Sequence, residues 1–338
     1  MPSPIVPNEY PIELTPPDIT PYKSGNTGID YITRFDSGRP GPHVMITAVV
    51  HGNELCGAIA LDWLFRHDVM PKQGVLSLGF MNVEAYHSFD PQQPTASRFI
   101  DEDFNRLWTA QVLDDSKRDS TELRRARQVR PYLDTVDFLL DIHSMQQKTP
   151  PLMMAGPLPK GRRLAKAVGL PEIVVTDAGH AAGRRMRDYE GFSDADSPKN
   201  ALLVECGQHW EAPAGPLAIQ SALRFLLVHD MVEEDWAAEG LEGAELPEQR
   251  FIEVSGPVTI KSENFRFVED YRGLEVIPEA GSVIAYDGDR PVTTPYDNCV
   301  LIMPSRRLDP GASAVRLGRF GEVGCRRCDR PAPGFWPC

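Results

Sequence analysis

No apolar run in the chain approaches the ~20 residues that a helix needs to cross a bilayer, which excludes a helical integral membrane protein. Positive charge is also scarce: 35 Lys and Arg stand against 48 Asp and Glu, a formal net charge of −13. So acidic a chain is a poor match for nucleic acid or an anionic membrane, although a local arginine cluster can still dominate a pocket. The first 22 residues are rich in Pro, hold three acidic residues and lack the basic-then-apolar order of a signal peptide, so a cytoplasmic location is expected. Cysteine is sparse and scattered, at Cys56, Cys206, Cys299, Cys325, Cys328 and Cys338, and without a secretion signal the thiols are expected to be reduced. Cys325-x-x-Cys328 followed by Cys338 lacks the second pair or the histidines of a zinc module, so it reads as a reduced tail. Cys206 reads as a small buried packing residue. Internal repeats and low-complexity segments are missing as well.

What the chain does have is apolar residues, 41% of 338, enough for one large domain and a small one. Residues 1–40 hold many Pro and Gly and read as a surface wrap. Beyond them, strand patterns at 43–50, 75–81, 136–142, 152–155, 173–176 and 201–205 alternate with helical patterns at 54–66, 121–129, 161–168 and 216–236. This order predicts an α/β fold, a mixed central sheet flanked by helices. An acidic stretch at 233–248 reads as a linker, and past it come short β runs at 258–260, 282–286 and 299–303, punctuated by Gly and Pro. The expected division is a catalytic domain over 1–249 and a small all-β domain over 250–338.

Two of the strand patterns end on histidine. Residues 44–50 lead into His51-Gly52-Asn53-Glu54, and 136–142 lead into His143-Ser144. A strand that turns at Gly52 can start a helix near Glu54, with Asn53 as its cap; Leu55, Ala58, Ile59, Leu61 and Leu64 follow at helical spacing. Strand carboxyl ends of one sheet converge, so residues about ninety apart in sequence can share a metal. Two imidazoles and a carboxylate, with a fourth position open to water, are a usual ligand set for catalytic zinc. Alone, a His-x-x-Glu pair is more often a surface or capping pair. With both motifs following buried strands, one Zn²⁺ per chain on His51, Glu54 and His143 stands level with the surface-pair reading, and the next motif adds to it.

Between them lies Arg98-Phe99-Ile100-Asp101-Glu102-Asp103-Phe104-Asn105-Arg106, and after them Val204-Glu205-Cys206-Gly207-Gln208. Taken in order, the His51–Glu54, 98–106, Asp141–His143 and 204–208 motifs resemble the succinylglutamate desuccinylase/aspartoacylase family, which is related to the zinc carboxypeptidases. The likeness spans roughly residues 40–230. It implies a zinc carboxypeptidase-like fold with a small C-terminal β domain, and a proton-transferring role for Glu205. It also implies oxyanion stabilisation by Arg98 and a substrate carboxylate held by Asn105 and Arg106.

These roles suit the side chains. A Glu beside an activated water can take its proton and pass it to a departing amine. A guanidinium is permanently charged and can grip a carboxylate bidentately. Asp103 reads as support for the loop or for a ligand. One departure concerns the approach to Glu205, which holds Asp194 and Asp196 where aspartoacylase-like members carry an Arg for a second substrate carboxylate. Arg184, Arg185 and Arg187 lie further back. The sequence therefore favours an acylated basic or neutral amino acid over acyl-Asp or acyl-Glu. The leading function is a zinc amidohydrolase that removes an acyl group from a small N-acyl amino acid. Alternatives are a zinc carboxypeptidase acting on short peptides and a non-catalytic binding protein on the same fold. A small-molecule substrate and a homo-oligomer are the expected partners.

Overall fold

The computed structural model describes residues 10–179, 183–243 and 246–321. Cys325, Cys328 and Cys338 lie outside the described residues. The first half runs β1 (Ile32–Asp36), β2 (His43–Ala48), α1 (Leu55–Arg66), β3 (Val75–Phe80), α2 (Val83–His87), α3 (Ala110–Leu113), α4 (Thr121–Leu133) and β4 (Phe138–Met145). It continues through β5 (Leu152–Met154), α5 (Pro159–Val168), β6 (Ile173–Thr176), β7 (Asn200–Gln208), α6 (Ala214–Val228) and α7 (Glu234–Ala237). The remaining strands are β8 (Arg250–Thr259), β9 (Phe265–Phe267), β10 (Val276–Ile277), β11 (Val283–Asp287), β12 (Arg290–Thr293), β13 (Cys299–Ile302) and β14 (Ser313–Phe320).

Eleven strands form one mixed sheet, in the order β1-β3-β2-β4-β7-β5-β6-β8-β14-β13-β10, and β12-β11-β9 form a small separate sheet. The fold is the expected α/β class, a large sheet flanked by helices. The sheet runs on across residue 250, because β6 pairs in parallel with β8 from Ile173↔Arg250 to Thr176↔Glu253.

Strand alternation sorts the core into two layers. Val44, Ile46 and Ala48 of β2 pack with α1 and α6, whereas Met45 packs with Leu123, Ala126 and Val129 of α4. In β4 and β7, Leu140, Ile142, Leu202 and Val204 join the α1/α6 layer. His143 and Glu205 therefore share the opposite face, and as register partners in the parallel β4–β7 pair they lie side by side.

Several element bounds differ from the sequence reading. β2 stops at Ala48 because Val49 takes a left-handed φ of 52°, which breaks the ladder before His51. Helix α1 starts at Leu55 with no side-chain cap; Asn53, expected to cap it, is buried with its Oδ1 unpartnered and its carbonyl accepting from Trp210 Nε1 at 3.1 Å. The long helix expected over 216–236 ends at Val228, and Asp230 (φ 52°) turns the chain toward α7. Residues 32–36, expected in the wrap, add the antiparallel edge strand β1 against β3.

Candidate active site

The turn after β2 is compressed. A Cβ on Gly52 would sit 2.2 Å from the Ala85 carbonyl carbon and 2.5 Å from the Ser97 oxygen, so only glycine lets the turn seat against these segments. The Gly52 N–H donates to the Arg98 carbonyl at 3.1 Å, which ties the start of the 98–106 loop to the strand end carrying His51.

His51 Nδ1 lies 2.6 Å from Glu54 Oε1, and His143 Nδ1 lies 2.8 Å from Glu54 Oε2. The outer nitrogens are held by two other carboxylates: His51 Nε2 by Asp103 Oδ1 at 3.0 Å, and His143 Nε2 by Asp141 Oδ2 at 2.8 Å. Thr47 Oγ donates to Asp141 Oδ1 at 2.8 Å and fixes that carboxylate in turn. Every ring nitrogen of the two histidines thus faces a carboxylate, and Arg98 Nη2 also lies 2.9 Å from His51 Nε2; with a cation bound, the Nε2 hydrogens would go to Asp103 and Asp141 and the Nδ1 lone pairs to the metal. Two nitrogen lone pairs and a carboxylate facing one another, with ligand atoms within 4.8 Å, are the donor set of a divalent cation; the residues present therefore fit the zinc expected from the sequence. Burial alone would raise the Glu54 carboxyl, but His51 and His143 outweigh it and hold it well below the usual carboxylate range. Burial would likewise lower His143, yet Asp141 and Glu54 raise it well above its ordinary value.

His51, Glu54, Asp103 and His143 line one cavity of about 290 Å³, which also receives Arg98, Asn105, Arg106 and Glu205. All seven site residues expected from the sequence thus meet in one place. Glu205 is buried, and its Oε2 has no hydrogen-bond partner among the described residues. Burial pushes its carboxyl up to about 8, with Glu54 adding to the rise while His143 and Arg98 oppose it. Arg98 Nη2 donates to Asp103 Oδ2 at 3.1 Å, and its Nη1 lies 3.6 Å from Glu54 Oε1. Asn105 Oδ1 accepts from the Met186 N–H at 2.8 Å. The Arg106 guanidinium donates to the Asn105 carbonyl at 2.8 Å and has no ion-pair partner among the described residues.

The far wall corrects the sequence reading of the approach to Glu205. Asp194 and Asp196 are exposed and do not line the cavity; Lys160 Nζ holds that loop by its carbonyls, including Asp194 O at 2.6 Å. Arg185 does line the cavity, buried, with Nε 2.6 Å from Asp188 Oδ2 and its Nη2 unpartnered. Beside it stands Arg316 of β14, whose Nε is 3.1 Å from Asp177 Oδ2. Burial lowers Arg106, as does repulsion from Arg98 and Arg185; burial likewise lowers Arg316, to about 10, with Arg185 and Arg106 adding to the fall. Among the described residues six arginines line the cavity against four carboxylates, in a chain of net charge −13, with Asp177 and Asp188 pairing Arg185 and Arg316 behind the wall. Sequence reading missed Arg316 and His209, a buried cavity residue whose Nδ1 lies 2.9 Å from Ser144 Oγ. Neither sits in a motif. The Asp-x-His spacing was the available signal for Asp141.

The family model for the succinylglutamate desuccinylase/aspartoacylase catalytic domain matches residues 40–228, more than half of the chain. The chain belongs to this family. The matched span carries every family motif, while β8–β14 lie beyond it. No curated protein matches the chain in sequence. Among solved structures, the family fold recurs in succinylglutamate desuccinylase from Vibrio parahaemolyticus, at a TM-score of 0.62, 16% identity and 87% coverage of each chain. The Vibrio cholerae succinylglutamate desuccinylase gives 0.62, 17% identity and 86% coverage of each. The ectoine utilization protein EutE (DoeB) from Ruegeria pomeroyi, solved with product bound, gives 0.55 and 16% identity, covering 87% of this chain and 92% of that one. These identities speak to the fold alone. Among the described residues no helix is long and apolar enough to cross a membrane.

Proposed function

We propose that the protein is a zinc-dependent deacylase that hydrolyses the amide of a small N-acyl amino acid carrying more than one anionic group. The observation that carries this reading is the meeting of the His51–Glu54–His143 donor set, the unpartnered Glu205 carboxyl and an arginine-rich wall in one small cavity.

His51 Nδ1, Glu54 and His143 Nδ1 would hold the zinc, which when bound supplies a Lewis acid for the scissile carbonyl and acidifies a water. Glu205 takes a proton from water and returns it to the leaving nitrogen, completing amide hydrolysis to an acid and an amine. Its raised pKa suits a group that must both accept and give a proton near neutrality. Arg98 favours negative charge that grows on the carbonyl oxygen, a gain confined to the transition state. Asn105 and Arg106 orient the substrate through a carboxylate, and Arg106 has no internal anion to surrender first.

A second anionic group is supported by the Arg185 Nη2, which has no hydrogen-bond partner among the described residues, and by Arg106, whose repulsion from Arg98 and Arg185 an incoming carboxylate relieves. This reverses the preference for basic or neutral amino acids drawn from Asp194 and Asp196, which are exposed outside the cavity. A cavity of about 290 Å³ suits one amino acid derivative. The test compares kcat/KM of the zinc-loaded enzyme across N-acetyl and N-succinyl derivatives of Asp, Glu, Gln and Orn, with metal content measured in parallel. Acidic derivatives should lead by at least about tenfold, the scale of one desolvated charge-assisted bond. A lead by the Orn derivatives overturns the anionic assignment, and absence of amine release from every derivative overturns the deacylase reading.

A further inference from the structure

The 98–106 loop bears four cavity residues, Arg98, Asp103, Asn105 and Arg106, yet its regular structure is confined to 3-10 turns at its two ends, Ala96–Arg98 and Phe104–Arg106. Its middle is held from outside the cavity by Glu122, the second residue of α4, whose side chain is fully buried. One carboxylate oxygen accepts from the Ile100 N–H at 2.7 Å and from Asn82 Nδ2 at 3.0 Å. The other accepts from the Asp101 N–H at 3.0 Å and the Glu102 N–H at 3.1 Å. Three consecutive main-chain N–H groups thus close on one carboxylate, which Asn82, just past β3, orients. No cation pairs with Glu122 among the described residues; three peptide N–H groups and the Asn82 amide solvate it. The neighbouring anchors hold side chains of the loop rather than its main chain: Arg118 and Ser120 hold the Glu102 side chain, and the Thr121 N–H donates to Asp101 Oδ2 at 2.7 Å.

We infer that Glu122 is a positioning residue for substrate binding, acting through the 98–106 loop to set where Asn105 and Arg106 present themselves. The inference rests on the proposed grip of a substrate carboxylate by these two residues. Both oxygens are needed, because four donors converge on them. Glutamine keeps the shape but offers one acceptor oxygen and turns an NH₂ against main-chain N–H groups, which pushes the loop outward. Displacement of a substrate-binding group by about 1 Å costs up to ~100-fold in rate.

The experiment measures KM and kcat at saturating zinc for Glu122→Gln, alone and combined with Arg106→Ala, on the best substrate of the panel above. In the otherwise wild-type enzyme, Glu122→Gln should raise KM by roughly tenfold or more while zinc stoichiometry stays at the wild-type value. Added to Arg106→Ala it should change KM less than about threefold, since the charged one of the two groups it positions is already gone and only Asn105 remains. Glu122→Asp, which keeps both acceptors, should recover part of the loss. A purely structural role predicts the same factor in both backgrounds, and that result, or a folded Glu122→Gln with unchanged KM, overturns the inference. Should Glu122→Gln fail to fold, Asn82→Ala loosens the same carboxylate; it must raise KM in the wild-type background and not beside Arg106→Ala, and an unchanged KM overturns the inference equally. Turnover by the wild-type enzyme tells failure of this inference from failure of the deacylase reading.

Discussion

Glu205→Gln should make the metal-free protein more stable and the enzyme far slower. The variant keeps the shape of the side chain and removes its ionisation. Burial raises the Glu205 carboxyl from an ordinary 4.5 to about 8, so the folded protein keeps a proton that the unfolded chain has released. The sign follows from proton linkage. Below about pH 4.5 both states are protonated and Glu205 costs nothing; the cost grows as pH rises and levels off above about 8. At pH 7 it amounts to about 3 kcal/mol, at roughly 1.4 kcal/mol per pH unit. Urea unfolding of metal-stripped wild type and variant near pH 4.5, 6 and 8 measures it. The two curves should coincide at the lowest pH and separate in favour of the variant as pH rises. Turnover by the zinc-loaded variant should fall by roughly two to four orders of magnitude, the range for a positioned acid/base. A variant no more stable than wild type at pH 8 would refute the buried, unpartnered carboxyl, and near-normal turnover would refute its role in proton transfer.

Replacing His143 with alanine should reduce bound zinc, measured by elemental analysis, from one per chain to about a tenth or less, with activity lost alongside; full occupancy would remove His143 from the ligand set. Asp141→Asn should weaken zinc binding by about 10- to 100-fold in chelator competition, because the His143 Nε2 loses its charged acceptor at 2.8 Å. Asp188→Asn should destabilise the protein by about 3 kcal/mol at neutral pH, since Arg185 and Arg187 lose their shared buried anion. Burial alone would raise the Asp188 carboxyl, but the two arginines hold it at about 2, so its contribution is present above about 4 and is lost as pH falls through about 2. Denaturation midpoints of wild type and variant should therefore converge near pH 2, and a constant gap would break the assignment.

The grouping of His51, Glu54 and His143 was legible in the sequence because each depends on a local signal: an apolar strand, a polar stop and a short spacing. The parallel β2–β4–β7 core was legible for the same reason, since strands buried on both faces read as unbroken apolar runs. Edge strand β1 was not, because Thr33, Arg34 and Asp36 interrupt its apolar residues and it is half exposed. Arg316 was hidden for a different reason. It follows residue 250 by more than sixty positions, and only the continuation of the sheet through β8 and β14 carries it to the cavity wall. Asp194 and Asp196 misled because nearness to Glu205 in sequence was taken as nearness in space, whereas Lys160 holds their loop on the surface.

The register partnership of His143 and Glu205 works as a ruler. Neighbouring strands lie about 4.8 Å apart, so the offset between the His143 and Glu205 side chains is set by main-chain spacing rather than by side-chain packing. Much of the cavity's opposite wall has a separate origin: Met303, Ser305, Arg307, Asp309, Ser313 and Arg316 come from β14 and the segment between β13 and β14. One wall of the cavity is therefore built separately from the strand ends that carry His143 and Glu205, while Asn105, Arg106 and Arg185 reach the same cavity from the first part of the chain. Exchanging the stretch from β13 through β14 changes the charge of that one wall and leaves the β4–β7 register in place.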